Sequence, residues 1–528
     1  MRAVAAALAV VEAAVERPSL RIGDGELDPA STWDFVVAAA KGSQGRISVA
    51  PEARQRIQAA ADFVAGLASS NQPIYGVTTG VGALKSAAIP PSALHEFQVN
   101  LIRSHCCGAG EELPRDLVYA MWVLLLHEAA KGHRGIRPQT VEAIIAALRR
   151  GMLGCVPGRG SVGASGDLAP AAHAALALLG EGDCTLWRCG RVVRLSAAAA
   201  LRFLGLTPVE LGPKEGLALI NGSHLTTAMA LKAWRAARTL LRTANLAAAM
   251  TALGACRRPT VTSIEVLRNH RHEGSLACAL DKQRWLETPG MALAERDHEQ
   301  DPYCLRCVPQ VHGAVWQEVR HSEHELAAEM DACTDNPQVF AEQGKLAYGG
   351  SFHAIHPARV SDRLASALAT LAAISERRTN LLMNPQKTGL PRFLVRDGGF
   401  NSGLMMIQTT AAALVSEAKA ASFPASVDTI PTNCDQEDHV SMGPVAGLKA
   451  LRVVENTRYV LAIELICAAQ AIELRGLDRY PPRIAAALDR IRRDVAFLER
   501  DRVLANDIET VAALIETEEL LCLQDAEF

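Results

Sequence analysis

The chain has 528 residues, of which 49% are hydrophobic and 21% are charged. Its 54 Lys and Arg residues against 57 Asp and Glu residues give a net charge of −3, which argues against a nucleic-acid groove or a surface for anionic membranes. This composition also excludes an intrinsically disordered chain, and no uncharged stretch is long enough to span a membrane. We expect a globular protein without nucleic-acid or membrane partners.

The N-terminus resembles an export signal only briefly. Residues 1–11 are largely apolar, but Glu12 and Glu16 follow at once and no small-x-small cleavage pattern stands out. The 13 cysteines are odd in number and scattered, which favours reduced and mostly buried thiols. These features predict a cytoplasmic protein.

Helix-favouring stretches dominate the chain, whereas the alternation typical of strands is rare. The clearest stretches cover residues 225–255, 359–382, 453–474 and 484–498. Helices of this length without heptad regularity indicate a bundle rather than a coiled coil. We therefore predict a mainly α fold, with a smaller mixed N-terminal region over residues 1–200 and a long central helical bundle over residues 201–528.

Two spacings are typical of ligand sites but lack the context that such sites need. Gly158-x-Gly160-x-x-Gly163 has the dinucleotide-binding spacing, yet residues 144–153 in front of it read as a helix rather than a strand. Cys304 and Cys307 have a redox or zinc spacing, but no second pair follows at a zinc-like interval. We expect neither a nucleotide site nor a metal site.

The most informative segment covers residues 160–170, with Ala164-Ser165-Gly166 at its centre. Taken alone, it is a Gly- and Ser-rich loop before an Ala-rich helix that Asp167 would cap. Seven further blocks occur along the chain in a fixed order: Tyr75-Gly-Val-Thr-Thr-Gly80, Asn100-Leu-Ile-Arg-Ser-His105, Lys214-Glu-Gly-Leu-Ala-Leu-Ile-Asn-Gly222, Gln300-Asp-Pro-Tyr-Cys-Leu-Arg306, Thr334-Asp-Asn-Pro337, Gly349-Gly-Ser-Phe-His353 and Gln436-Glu-Asp-His-Val-Ser-Met-Gly443.

These blocks together resemble the signature of the aromatic amino acid ammonia-lyase and aminomutase family. The resemblance implies that Ala164, Ser165 and Gly166 cyclise autocatalytically to a 4-methylideneimidazol-5-one (MIO) group, with no external cofactor. The Gly166 nitrogen would attack the Ala164 carbonyl, and glycine removes the Cβ that would block so close an approach. Ser165 would then lose water, leaving an electrophile that no unmodified side chain provides.

The resemblance also implies roles for other side chains. Tyr75 matches the catalytic tyrosine of the family, and we expect nearby positive charge or helix N-termini to lower its pKa so that it can act as a base. Tyr303 matches a second tyrosine beside the MIO group, and Arg306 matches the residue that pairs with the substrate carboxylate. The other implied substrate-binding residues are His105, Asn221, Gln300, Asn336, Phe352, Gln436 and Glu437.

Two of the blocks indicate which amino acid is the substrate. The Ser104-His105 pair and the Gln436-Glu437 run resemble the histidine-specific branch of the family, and a carboxylate at position 437 can accept a hydrogen bond from an imidazole or an ammonium group. These points favour L-histidine, with trans-urocanate and ammonia as products.

Departures from that branch keep alternatives open. Cys106-Cys107 replaces the usual pair of alanines, and Thr78 and Val81 differ from the residues typical of histidine enzymes. His105 could also bond a phenol or a catechol, so tyrosine or dihydroxyphenylalanine would give coumarate or caffeate instead. A phenylalanine enzyme, an aminomutase or a non-catalytic helical scaffold relative are the remaining alternatives.

The resemblance further implies an assembly. It implies that each active site is built from residues of three subunits of a homotetramer. No single subunit would then be active. We therefore expect a homotetramer with shared active sites that acts on a small aromatic amino acid.

Overall fold

The computed structural model describes residues 18–524, except residues 44, 71, 256–262, 288–299 and 478. The apolar segment 1–11 therefore lies outside the described residues. Helices make up most of the described chain, which confirms the predicted mainly α fold. Within this part of the chain, no helix is both long enough and apolar enough to cross a membrane.

The α-helices follow one another from the N-terminal part to the end of the described chain. They are α1 (Pro29–Ala38), α2 (Pro51–Ala68), α3 (Leu94–His105), α4 (Arg115–Ala129), α5 (Pro138–Arg149), α6 (Leu168–Leu176), α7 (Ala197–Leu204), α8 (Glu215–Ile220), α9 (His224–Gly254), α10 (Ile264–His270), α11 (Glu273–Leu286), α12 (Tyr303–Arg306), α13 (Val308–Met330), α14 (Ile355–Leu382), α15 (Pro385–Thr388), α16 (Met405–Ala421), α17 (Gly443–Arg475), α18 (Pro482–Arg492) and α19 (Ala505–Glu516).

The strands are short. They are β1 (Ser19–Ile22), β2 (Arg46–Val49), β3 (Ala109–Glu112), β4 (Met152–Gly154), β5 (Pro157–Arg159), β6 (Asp183–Arg188), β7 (Arg191–Ser196), β8 (Gln338–Phe340) and β9 (Lys345–Ala347). Strands β1 and β2 pair in parallel, whereas β3–β5, β4–β6–β7 and β8–β9 form antiparallel sheets. Most of the described strands lie before residue 200.

The long helices form where the sequence favours them. Helices α9, α14 and α17 cover the predicted stretches 225–255, 359–382 and 453–474 almost completely. The predicted helix over 144–153 is wrong at its end. Helix α5 stops at Arg149, Gly151 adopts a left-handed conformation (φ 72°), and the next residues form strand β4.

The chain folds into two compact units. Unit 1 takes the described residues up to Lys232 together with His324–Val360 and Ala425–Gly447, and unit 2 takes the described residues of Ala233–Glu323, Ser361–Pro424 and those from Leu448 onward. These units differ from the predicted regions 1–200 and 201–528, because two later segments of the chain return to unit 1.

The helices of unit 2 enclose a buried ion pair. Arg378 donates to both carboxylate oxygens of Glu464, with 2.8 Å between Nη2 and Oε2, and neither side chain is exposed. The hydroxyl groups of Thr251 and Ser375 donate to the same carboxylate at 2.8 and 2.6 Å. Buried charges are costly unless they are paired and hydrogen-bonded. This network therefore links helices α9, α14 and α17 through one buried carboxylate.

The centre of unit 1 is helix α4. Every residue from Leu117 to Ala129 is buried, as expected for a helix that is apolar on nearly all sides. Its buried Glu128 pairs with Arg134 at 2.6 Å and with His224 at 2.9 Å. This carboxylate is therefore the start of a charged network that leads to the candidate site.

Candidate active site

The Ala-Ser-Gly segment forms a tight loop between β5 and α6. Ser165 (φ 52°) and Gly166 (φ 81°) both adopt left-handed backbone conformations, which are strained for a serine. A Cβ atom on Gly166 would lie 2.0 Å from the carbonyl oxygen of Gly222. Only glycine therefore fits at position 166.

Backbone bonds hold this loop against Gly222. The Gly222 N–H donates to the Ser165 carbonyl at 3.2 Å, and the Asp167 N–H donates to the Gly222 carbonyl at 2.8 Å. The buried Asp167 carboxylate accepts bonds from the N–H and hydroxyl of Thr226, at 2.8 and 2.7 Å, near the start of α9. Burial raises the pKa of Asp167 to about 6.

The prediction that Asp167 caps its own helix is therefore wrong. No side-chain bond from Asp167 reaches the first turn of α6. The first N–H groups of α9 also lack partners within their own helix, and the Asp167 carboxylate satisfies one of them instead. The loop is thus tied to two helices, one by chain connection and one by this carboxylate.

A cleft of about 770 Å³ in unit 1 opens at this loop. Ala164 and Ser165 lie on its wall, whereas Gly166 is buried. The cleft also brings together seven other residues predicted from the sequence: Tyr75, His105, Asn221, Asn336, Phe352, Gln436 and Glu437. These residues are far apart along the chain, so the fold assembles them.

Tyr75 lies in the cleft with its phenol oxygen bonded to backbone. The Gly82 N–H donates to Tyr75 Oη at 3.1 Å. The Tyr348 ring packs edge-on against the Tyr75 ring, with 6.4 Å between the ring centres. Burial raises the pKa of Tyr75, the Gly82 N–H lowers it, and the charge of Glu437 raises it further. The pKa of Tyr75 is raised overall, so the expected lowering is wrong for this unit, which places a carboxylate rather than a cation near the phenol.

Glu437 bonds directly to the loop serine. Ser165 Oγ donates to Glu437 Oε1 at 3.2 Å, and Thr432 Oγ1 donates to Oε2 at 2.8 Å. Both oxygens of the carboxylate are thereby fixed. The carboxylate is thus held beside the atom that the resemblance assigns to the reactive group.

The segment after Tyr75 is joined to the segment around Glu437. Lys85 Nζ donates to Gln436 Oε1 at 2.5 Å, and the Ala83 N–H donates to Asn433 Oδ1 at 3.2 Å. Two stretches that are about 350 residues apart in the chain thus form one side of the cleft.

His105 is the last residue of α3, and a backbone carbonyl there favours one tautomer of its neutral imidazole ring. Its Nδ1 atom lies 2.7 Å from the Leu101 carbonyl oxygen. A carbonyl oxygen only accepts hydrogen bonds, so Nδ1 of a neutral His105 carries the proton. Nε2 is left as a hydrogen-bond acceptor for a molecule in the cleft.

The amide residues of the cleft rest on backbone and on buried charge. Asn336 Oδ1 accepts a bond from the Gly349 N–H at 3.0 Å. Asn221 donates to the Asp335 carboxylate at 3.0 Å and to the Asn336 carbonyl at 3.2 Å. Phe352 supplies an aromatic wall of the cleft. The amides are therefore held in fixed orientations.

Sequence reasoning missed several cleft residues, among them Tyr348, Lys85 and His439. Tyr348 directly precedes the Gly349-Gly350 block, and His439 lies inside the block that starts at Gln436, so their neighbours were the available signal. The His353 and His439 rings stack at 5.5 Å beside the cleft, and burial is the largest cause that lowers the pKa of His353. No comparable signal marks Lys85.

Three predicted residues belong to unit 2 and do not line this cleft. Gln300 is exposed, and Tyr303 and Arg306 lie on the short helix α12. The Arg306 guanidinium lies 4.8 Å from the centre of the Tyr303 ring, which is 70% exposed. Their roles as a second tyrosine, an amide and a carboxylate partner stay predictions.

Comparison with known proteins gives the class of the chain. The family model described as aromatic amino acid lyase matches residues 32–493. This match, with the helical fold and the strained Ala-Ser-Gly loop, defines the chain as a carbon–nitrogen lyase. It belongs to the aromatic amino acid lyase family.

Individual relatives match over nearly their whole length. A histidine ammonia-lyase of Symbiobacterium thermophilum is 46% identical over 506 residues, covering 95% of this chain and 98% of the relative. The crystal structure of histidine ammonia-lyase from Trypanosoma cruzi has a TM-score of 0.88 and 36% identity, over 96% of this chain and 95% of that one. Tyrosine aminomutase from Streptomyces globisporus also has a TM-score of 0.88, at 32% identity, over 97% of this chain and 99% of that one.

Proposed function

We propose that the chain eliminates ammonia non-oxidatively from L-histidine, giving trans-urocanate. The observation that carries this proposal is the cleft in which the strained Ala-Ser-Gly loop meets Tyr75, His105 and Glu437. The relatives named histidine ammonia-lyase support the choice of substrate. They do not favour a tyrosine or dihydroxyphenylalanine lyase, an aminomutase or a scaffold protein.

We further propose that Ala164, Ser165 and Gly166 form the MIO group. A new bond would join the Gly166 nitrogen to the Ala164 carbonyl carbon with loss of one water, and Ser165 would lose a second water. The loop fits this closure because Gly166 carries no Cβ and is pressed against Gly222, and because its N–H has only a 3.3 Å bond to the Gly163 carbonyl. The finished group supplies an electrophile that turns the substrate amine into a better leaving group.

Tyr75 is the proposed base. The β-hydrogen of an amino acid is only weakly acidic, so a base must lie at the cleft, and the Tyr75 phenol does. The Gly82 N–H that donates to Tyr75 Oη stabilises the phenolate relative to the phenol. Arg306 is proposed to bind the substrate carboxylate through its bidentate guanidinium, and Gln300 and Tyr303 are proposed to complete the site in the assembly.

His105 and Glu437 are proposed to recognise the side chain of the substrate. His105 Nε2 is an acceptor, so it requires a donor such as the N–H of an imidazole. The Glu437 carboxylate is a second acceptor in the same cleft. Either acceptor suits histidine, whose neutral ring carries one N–H donor, and neither suits an unsubstituted phenyl ring.

The His105→Phe variant tests this recognition. We expect kcat/KM for histidine to fall about tenfold or more, because the imidazole of the substrate loses its acceptor in the cleft. The matched control is His95→Phe, since His95 bonds a backbone carbonyl outside the cleft at 2.9 Å. An unchanged kcat/KM in the His105 variant would refute the assigned contact.

A side-by-side assay tests the substrate itself. Purified chain is incubated with histidine, tyrosine, dihydroxyphenylalanine and phenylalanine, and the products are separated. Urocanate as the dominant product supports the proposal, whereas coumarate or caffeate would overturn it. A β-amino acid would indicate an aminomutase. No product, together with an unmodified intact mass, would indicate a scaffold.

The chain is also proposed to form a cytoplasmic homotetramer with shared active sites. Large apolar side chains are exposed on the single chain, and the Phe400 and Phe423 side chains are 86% and 70% exposed. Exposed apolar residues of this size are typical of surfaces that other proteins cover. Light scattering on the purified chain measures the assembly directly.

A further inference from the structure

We infer that Lys214 is a positioning residue that acts through Asp335 to fix the direction of the Asn221 amide. The proposal rests on the function proposed above and takes the substrate amine, which the family resemblance already implies for this amide position, as the group that Asn221 binds. It concerns residues of unit 1 alone, beneath the wall of the cleft.

The Asn221 amide can adopt only one orientation in its surroundings. Its nitrogen Nδ2 donates to Asp335 Oδ1 at 3.0 Å and to the Asn336 carbonyl at 3.2 Å, so both of its hydrogens are used. Turning the amide over would place its oxygen against a carboxylate oxygen and a carbonyl oxygen. All three only accept hydrogen bonds, so the turned amide is unfavourable.

The cleft therefore meets the amide oxygen, not the amide nitrogen. Among the described residues, none donates a hydrogen bond to Asn221 Oδ1, and Asn221 lines the cleft. An amide oxygen binds an ammonium or amine group, and it repels a carboxylate. Asn221 is thus assigned to the substrate amine.

Lys214 determines whether Asp335 can hold the amide in this way. Neither side chain is exposed, Lys214 Nζ donates to Asp335 Oδ2, and the same Nζ donates to the Arg134 carbonyl at 2.9 Å. Without the ammonium, Asp335 Oδ2 would lose its lysine donor, and the carboxylate could turn away from Asn221. A turned carboxylate no longer accepts from Asn221 Nδ2, so the amide loses the stronger of the two contacts that fix its direction.

The arrangement concerns orientation more than stability. A buried ion pair contributes little net stability compared with well-packed apolar residues, because desolvation opposes the attraction of the charges. The neighbouring Glu128 carboxylate already holds the Asp335 backbone, accepting from its N–H at 3.1 Å. What Lys214 adds is a fixed direction for the carboxylate that Asn221 contacts.

The test compares Lys214→Met with Lys214→Arg on the full chain. Two ligands are used: L-histidine, and imidazolepropanoate, which lacks the amine. We expect Lys214→Met to lower kcat/KM for histidine on the order of tenfold to a hundredfold, because the hydrogen bond between Asn221 Oδ1 and the substrate ammonium group is lost. Inhibition by imidazolepropanoate stays within roughly a factor of two, and Lys214→Arg retains most of the activity.

The matched control is Lys232→Met. Lys232 also pairs with an aspartate, Asp116, at 2.6 Å, but it does not line the cleft. We expect this variant to keep both the kcat/KM for histidine and the inhibition constant. Lys232 and Asp116 are only partly buried, so the control separates the loss of a Lys–Asp pair elsewhere in the chain from the loss of the pair beside the cleft.

Several outcomes would overturn the inference. Equal weakening of both ligands by Lys214→Met would mean a general structural role, and no weakening of either would mean no role. Combining Lys214→Met with Asn221→Ala must add nothing to the Asn221 variant alone, and additive losses would contradict the coupling.

A second variant tests the same inference if Lys214→Met does not fold. The double substitution Lys214→Met and Asp335→Asn leaves no lone buried charge, and the amide that replaces the carboxylate can either donate or accept. We expect the same selective loss for histidine, smaller in size. Failure of the proposed function is visible earlier, in the wild-type assay; if that assay yields coumarate, tyrosine and its des-amino analogue replace the two ligands.

Discussion

Replacing Ser165 with alanine will remove turnover while the helical fold persists. Alanine has no hydroxyl to lose, so the proposed ring closure cannot yield the electrophile on which elimination depends. We expect kcat/KM to fall on the order of a thousandfold or more, with an unchanged far-ultraviolet circular dichroism spectrum. The intact mass of the wild type should be lower than the sequence mass by two waters, and that deficit should be missing in the variant.

Ser196→Ala is the control for this substitution. Ser196 caps helix α7 by accepting a bond from the Ala199 N–H at 3.4 Å, on an exposed part of unit 1. It should leave both activity and the mass deficit unchanged. Appreciable turnover by the Ser165 variant, or a wild-type mass equal to that of the unmodified chain, would contradict the mechanism.

Tyr75→Phe will cause the other large loss. The substitution keeps the ring that packs against Tyr348 but removes the oxygen that accepts the Gly82 N–H. Loss of a general base lowers rates by about a hundredfold to ten-thousandfold, and we expect kcat to fall in that range. Tyr119→Phe is the matched control, since the described residues offer no partner to the buried Tyr119 hydroxyl.

The pH dependence of the wild type follows from the raised pKa of Tyr75. Below that pKa the deprotonated phenol is a minor species, and its fraction grows tenfold with each unit of pH. We therefore expect kcat/KM to rise on the alkaline side of neutrality in the wild type and this rise to be absent from Tyr75→Phe. A pH profile that is the same in both proteins would exclude Tyr75 as the base.

Much of the fold could be predicted because it depends on local sequence. Long Ala- and Leu-rich stretches form helices α9, α14 and α17 almost where their composition indicates. The return of residues 324–360 and 425–447 to unit 1 could not be predicted in this way. It depends on packing between segments far apart in the chain, which no local pattern encodes.

The candidate site shows the same division. Tyr75, Asn221 and Glu437 were predicted from the sequence blocks, and all three line one cleft. The contacts that orient them were beyond reach, because each joins distant segments, as Lys214 joins Asp335. Asp167 illustrates the limit: its local pattern predicts a cap on α6, but a nearby helix start offered the better partner.

The bond between Asp167 and Thr226 has a consequence for the life of a newly made chain. Several of the bonds that hold the strained loop come from Gly222 and from the first turn of α9, which follow the loop in the chain. Under the proposed chemistry, a ribosome-bound chain that has not yet folded here would carry an ordinary serine. The presence of the completed ring would then distinguish copies of the chain that have reached the native fold from copies that have not.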